Sequence, residues 1–219
     1  MIESLLPDPV VAAEAFGDNP GERCFPGEED VVGAAVEKRR REFVTARRCA
    51  REALGRLGLA PAPIRSGPRR EPLWPPGVVG SITHCAGYRA AAVARSTDLA
   101  SLGIDAEPHA PLPPGVYAEV TVPQERDMLD RLVRSAPGVH WDRLLFSAKE
   151  SVYKAWFPLT GRWLGFEQAC LEIDGATGAV TARLLADGTR GDGGPPLRVL
   201  HGRYLVAGGL VTTAVWVDR

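Results

Sequence analysis

RLLFSAKESVYKAWF, residues 143–157, reads as a long helix. Leu144, Leu145, Phe146, Trp156 and Phe157 bracket it with apolar side chains, so its surface cannot lie wholly in water, and Pro158 is expected to stop it. A second strong helix is written over residues 36–58, VEKRRREFVTARRCAREALGRLG. Val36, Phe43, Ala50, Leu54 and Leu57 recur there on one face, and Gly58 suits the C-cap. Strands and hairpins follow each helix. VVGSITHCAGYRAAAVARS (78–96) reads as two strands around Gly87, and SLGIDAEP (101–108) as a strand ending at Pro108. Residues 171–185 and 203–217 read as hairpins around Gly175–Gly178 and Gly208–Gly209. Residues 123–135 read as a helix opening at Pro123, whereas 1–35, 60–77 and 109–122 read as irregular or loop.

The two halves rhyme. Gly87-Tyr-Arg-Ala-Ala-Ala-Val93 is similar to Gly209-Leu-Val-Thr-Thr-Ala-Val215, and each closes its half. Phe43 precedes Arg51 by the same interval that separates Phe146 from Lys154. The expectation is an α+β protein of two pseudo-duplicated halves, 1–103 and 104–219, related by a pseudo-two-fold. A ligand cleft is expected between them.

A chain of 219 residues needs no disulfide or metal staple to hold a core. Hydrophobic residues make up 45% and charged residues 24%, which excludes disorder and coiled coil as descriptions of the whole chain. A net charge of −1 supplies no field for nucleic acid. Cys24, Cys49, Cys85 and Cys170 are scattered without a CxxC, which suits a reducing compartment better than a zinc site. The N-terminus carries Glu3, Asp8 and Glu14 with no early Lys or Arg, unlike a signal peptide, and no apolar run is long enough to span a bilayer. The expectation is a cytoplasmic monomer without membrane or nucleic-acid partners, the two halves supplying the cleft themselves. Of 26 basic residues only Lys38, Lys149 and Lys154 are lysines. A GC-rich coding bias accounts for most of this, and a lysine that survives it hints that an ammonium is wanted.

Four groups of residues carry chemistry. Asp105 and Glu107, two apart on a strand, leave the same face. They are either two solvated acids or oxygen ligands for a hard cation such as Mg²⁺. Glu150 and Lys154 share a helix face; as a surface ion pair they would be worth only about 0.3–0.5 kcal/mol. Arg40, Arg47 and Arg51 line up as a basic stripe, and Arg39 falls on the apolar face near Phe43 and Ala50. A guanidinium buried there needs a partner, which a phosphate would supply bidentately. Thr83 and His84 sit at a strand end before a turn, either as a packed cap or as phosphate contacts. GxxxxGK[ST], GxGxxG after a strand, and GxSxG are all absent, and no Ser/His/Asp or Cys/His arrangement stands out. Carboxylates, lysines and a basic helix without a nucleophile are equipment for Mg²⁺-assisted phosphoryl-type transfer between two bound partners.

Gly103-Ile-Asp105, then residues 106–145, then Phe146-Ser-Ala-Lys-Glu-Ser-Val-Tyr-Lys154 resembles the signature of the 4′-phosphopantetheinyl transferase superfamily, surfactin-synthetase type. KRRREFVTARRCAREAL, REPLWPPGVVGSITHCAGYRAA, GIDAEPH and KESVYKAWFPLTGRWLGFE extend the resemblance over about residues 36–168, toward the enterobactin-type branch and the mycobacterial-type activating enzymes. The resemblance implies transfer of the phosphopantetheine arm of coenzyme A to a serine of an acyl or peptidyl carrier protein, with release of adenosine 3′,5′-bisphosphate. It also implies a pseudo-duplicated α+β fold with CoA in the cleft. By motif position it implies Asp105, Glu107 and Glu150 as ligands of Mg²⁺, with Mn²⁺ as a substitute, and Glu150 as base. Lys154 and Lys149 fall at the CoA phosphates, as do Arg39, Arg47, Thr83 and His84. Where the family often places lysines before a Glu-Pro, this chain has Arg65-Ser-Gly-Pro-Arg-Arg-Glu71, so Arg69 or Arg70 is expected to grip the nucleotide end. Two other readings are a Mg²⁺-dependent nuclease and a non-catalytic CoA- or carrier-binding module. The nuclease is disfavoured because Lys149-Glu150 lies on a predicted helix rather than a strand, and the inert module because all the acids and Lys154 are present.

Overall fold

The computed structural model describes residues 1–33 and 35–219. Strand β1 (Val11–Phe16) opens the fold, inside a segment expected to be irregular. Helix α1 (Glu37–Arg56) follows, then β2 (Val78–Cys85) and β3 (Tyr88–Arg95), joined by the expected turn at Gly87. β4 (Leu99–Pro108) leads to a short helix α2 (Val116–Val120), which was not expected, and to α3 (Pro123–Ser135), which was. Helix α4 (Trp141–Thr160) precedes two hairpins, β5 (Ala169–Ile173) with β6 (Ala179–Leu184) and β7 (Val199–Ala207) with β8 (Leu210–Asp218). Pro158 does not stop α4. A proline in the last turn forfeits one hydrogen bond, and the helix ends instead at Gly161, whose φ of 65° lets its N–H reach Phe157 O at 2.8 Å.

The strands form two antiparallel sheets, β1-β3-β2 and β4-β8-β7-β6-β5. The fold class is α+β, as expected. One connection pattern serves both sheets: a strand, a long helix, then a hairpin whose second strand pairs with the first strand. β5–β6 extends the second sheet at its far edge. The expected division between residues 103 and 104 cuts through β4, which pairs with β8 along its length, so the break between the sheets lies before Leu99.

Side-chain size sets the layering. Ala91 and Val93 on one face of β3 meet Cys49, Ala50, Ala53 and Leu54 of α1. Ala90, Ala92 and Ala94 on the other face meet Leu102, Ile104, Leu210 and Ala214 of the second sheet. The far side of that sheet is covered by α4 and α3 through Leu144, Leu145, Val152, Met128 and Leu129. The order is helix, sheet, sheet, helices. Alternating alanines let β3 be buried on both faces while the layers stay close.

The sheets also meet edge to edge, where β2 runs parallel to β4. No backbone ladder joins them. Ile104 N donates to Ser81 Oγ and Ala106 N to Thr83 Oγ1, each at 3.0 Å, so hydroxyls satisfy the β4 amides. α4 presses on β4 at Gly103, where a Cβ would stand 2.7 Å from Ala155 N and closer still to Ser151 O. Gly103→Ala should therefore cost about 3 kcal/mol, because backbone and not a flexible side chain must move. Chemical denaturation checks this: a midpoint equal to that of the wild type would show that α4 is free to shift.

Candidate active site

The seam delivers the chemistry. Asp105 lies on β4 between the two amides bonded to Ser81 and Thr83, and α4 crosses it with Glu150 and Lys154 one turn apart. Lys154 Nζ donates to Asp105 Oδ1 at 2.7 Å and to Ile104 O at 3.0 Å. Thr83 Oγ1 donates to the same Asp105 oxygen at 3.3 Å. Asp105 is only 5% exposed, and its Oδ2 is buried without a partner. Glu107 turns toward Arg143, whose Nη1 donates to Oε2 at 3.0 Å while Nε and Nη2 hold Ala110 O and Pro111 O. Burial raises the pKa of Glu150, and the charge of Asp105 adds to the rise while Lys154 opposes it. Burial and Asp105 raise that of Glu107 likewise, against Arg143. Among the described residues no three His, Cys, Asp or Glu side chains close into a metal-holding group. Lys154 and Arg143 occupy part of the acid set instead.

Three depressions run together across the seam. The first, about 380 Å³, is lined by Arg39, Phe43, Arg47, Ser66, Arg70 and His84. It shares Arg70, Pro72 and Ile82 with the second, about 500 Å³, which reaches Arg69, Trp74, Glu150 and Lys154. The second shares Glu150 and Tyr153 with the third, about 570 Å³, walled by Trp163, Leu164 and Phe166. The track therefore passes from basic through mixed-charge to aromatic surroundings.

Several sequence expectations are corrected. Arg39 is exposed, not buried: it lies in the first turn of α1, over the end of β2, and meets Glu42 at 3.4 Å and the His84 ring. Arg47 and Arg51 of the basic stripe are covered by the 22–32 and 61–73 segments. Arg47 is 5% exposed and donates to Ile64 O at 2.9 Å and Ser66 Oγ at 3.1 Å, while Arg51 pairs with Glu28. Burial lowers the Arg47 pKa to about 10. Lys149 is 3% exposed, and Glu125, Val120 O and Phe166 O take its donors. It is a strut that ties α4 to α2, α3 and the 166–168 turn, with no donor left for a phosphate. Arg65 is held by Asp30 at 2.5 Å and by Gly27 O, outside the track. Arg70 faces the first two depressions, with a φ of 68°. Tyr153, Trp163 and Phe166 were not singled out by sequence; the signal was the aromatic run from Trp156 to Phe166.

His84 is depressed to about 4, first by burial and then by the Arg39 charge. Its unfolded counterpart titrates near 6.5. The unfolded chain thus binds more protons between those values, and stability falls as pH drops from 6.5 toward 4. The wild type should lose more melting temperature than His84→Gln between pH 7 and pH 4.5. Parallel curves would show that the ring is not held neutral.

A family model described as the 4′-phosphopantetheinyl transferase N-terminal domain matches residues 27–94, and one described as the 4′-phosphopantetheinyl transferase superfamily matches residues 101–195. This chain belongs to that superfamily. Within it, 4′-phosphopantetheinyl transferase Svp of Streptomyces mobaraensis is 55% identical over 220 residues, covering 99% of this chain and 89% of Svp. 4′-Phosphopantetheinyl transferase PptT of Mycobacterium tuberculosis is 49% identical over 223 residues, 98% of this chain and 97% of PptT. Enterobactin synthase component D of Salmonella typhi is 35% identical over 129 residues, 58% of this chain and 52% of that protein. The superfamily matches leave β1 and β7–β8 outside them and separate at the β3–β4 turn, where the first sheet gives way to the second. Among the described residues no helix is long and apolar enough to cross a membrane.

Proposed function

We propose that this chain transfers the 4′-phosphopantetheine group of coenzyme A to a serine of apo acyl or peptidyl carrier proteins, releasing adenosine 3′,5′-bisphosphate. The track across the seam carries the reading, because its order repeats that of CoA: phosphorylated nucleoside, pyrophosphate, then a long uncharged arm. Arg39 and Arg70 meet the nucleotide phosphate, with Arg47 behind them and neutral His84 as a hydrogen-bonding neighbour. Of the three arginines in the proline-rich loop, Arg70 is the one that faces both depressions, and Arg69 supports it at the second. Tyr153, Trp163 and Phe166 enclose the arm.

The acid set fits a divalent cation, since a buried carboxylate oxygen at Asp105 lacks any partner and two further acids lie in its field. Asp105, Glu107 and Glu150 would hold Mg²⁺ or Mn²⁺, with Lys154 and Arg143 yielding the oxygens they now bind. When bound, the ion withdraws charge from the pyrophosphate. The carrier serine Oγ attacks the β-phosphorus of CoA, the bond to the bridging oxygen of the α-phosphate breaks, and the serine proton passes to Glu150. Burial and Asp105 make Glu150 a stronger base than an ordinary glutamate. Lys154 neutralises the departing phosphate.

Intact-mass measurement of an apo carrier protein incubated with this chain, CoA and Mg²⁺ tests the reading. Addition of one phosphopantetheine is expected, and none in EDTA. CoA binding without any mass gain would leave a binding module in place of an enzyme.

A further inference from the structure

We propose that Glu28 is a positioning residue for the nucleotide end of the cleft, clamping the root of the loop that presents Arg70. The proposal rests on the reading of the cleft as a CoA site. Glu28 lines none of the three depressions and is 0% exposed. Its Oε1 accepts from Ile64 N and from Arg51 Nη1, each at 2.7 Å. The carbonyl of the same residue, Ile64, accepts from Arg47 Nε at 2.9 Å. One buried residue is thus gripped from both sides, by an acid on the 22–32 segment and a base on α1.

Beyond Ile64 the chain forms a narrow tongue. Ser66 bridges to Pro72, Leu73 N reaches Arg65 O at 2.9 Å, and Gly67 N reaches Glu71 O at 2.8 Å. Arg70 stands at its tip with a positive φ, a conformation an L side chain keeps only where its surroundings impose it. The tongue has no apolar anchor of its own comparable to Ile64, so the grip at its root sets where Arg70 stands.

Hydrogen bonding alone does not explain the charge at residue 28. A glutamine oxygen could accept from both donors, yet a carboxylate is present and its Oε2 is buried without a partner. The guanidinium groups of Arg47 and Arg51 repel one another, and the Glu28 charge offsets the burial of Arg47. The carboxylate holds the two cations together beneath the tongue.

The test compares Glu28→Gln, Glu28→Ala and Arg70→Ala by steady-state kinetics at varied CoA, with calorimetric titration of adenosine 3′,5′-bisphosphate and melting curves. Glu28→Ala should raise KM for CoA about tenfold, with kcat within about twofold, and weaken adenosine 3′,5′-bisphosphate binding in parallel. Glu28→Gln should fall between it and the wild type, because it keeps the acceptor and loses the charge; if the alanine variant does not fold, the glutamine variant alone decides. A lower melting temperature with unchanged KM in the folded variants would overturn the proposal and leave Glu28 structural. Arg70→Ala separates the two levels. If Arg70→Ala raises KM and the Glu28 variants do not, only the clamp is wrong; if Arg70→Ala leaves KM unmoved, the cleft reading fails and the clamp with it.

Discussion

Asp105→Asn should abolish transfer and leave a folded protein. The amide still offers an oxygen to Lys154 and Thr83, and Lys154 keeps Ile104 O. The fold should therefore persist in the variant. What disappears is the charge on a carboxylate whose second oxygen has no protein partner. Three consequences should appear together: a rate loss of about 10³-fold or more, loss of any Mg²⁺-induced rise in melting temperature, and lower pKa values at Glu107 and Glu150, which the Asp105 charge now raises. Near-normal turnover by the variant, or full wild-type activity in EDTA, would sink the assignment of Asp105 to a metal.

Glu150 and Lys154 share a face of α4 but should fail in different ways. Lys154→Ala removes a cation from the departing phosphate and should slow transfer by about 10²–10³-fold. Lys154→Arg keeps the charge with a different shape and reach, and should rescue only part. Glu150→Gln keeps an oxygen and cannot take a proton near neutral pH, so CoA binding should persist while transfer is lost. The wild-type profile gives a second check. The Glu150 pKa is raised by burial, so kcat/KM should begin to fall, as pH drops, above the ordinary glutamate range. Calorimetry for CoA and mass spectrometry for the carrier separate these outcomes. If Glu150→Gln transfers at near the wild-type rate, another group accepts the serine proton.

Periodicity and turn chemistry made the two long helices, α3 and the three hairpins legible. β1 was hidden because half of Val11-Ala-Ala-Glu-Ala-Phe16 is alanine, a residue depleted in strands; its pairing with β3 makes it a strand. At Arg39 and Lys149 the sequence indicated a face but not a depth. A helical wheel places Arg39 in line with Ala50, yet the apolar contact of α1 with the sheet begins further along, at Cys49 and Ala50, and Arg39 lies exposed over the end of β2. Lys149 adjoins Glu150 in one motif, but a step of 100° turns its ammonium into a buried hub with Glu125. Asp105 and Glu107 were found by their alternation on a strand, whereas the pull of Arg143 on Glu107 needed the fold. The aromatic third of the track was missed because Tyr153, Trp163 and Phe166 converge only after α4 turns at Gly161.

The hydroxyl seam makes the distance between grip and reaction centre a heritable variable. In a continuous sheet the offset between neighbouring strands changes only in whole-residue steps, each of which turns every side chain to the other face. Here the hydroxyls of Ser81 and Thr83, with the apolar layer between the sheets, set how β2 lies beside β4 and how far the arginines of the first half stand from Asp105. A substitution at either position acts on this contact between the sheets and leaves every ladder within them in place. Drift at two residues can thus retune the reach of the enzyme without remaking either half.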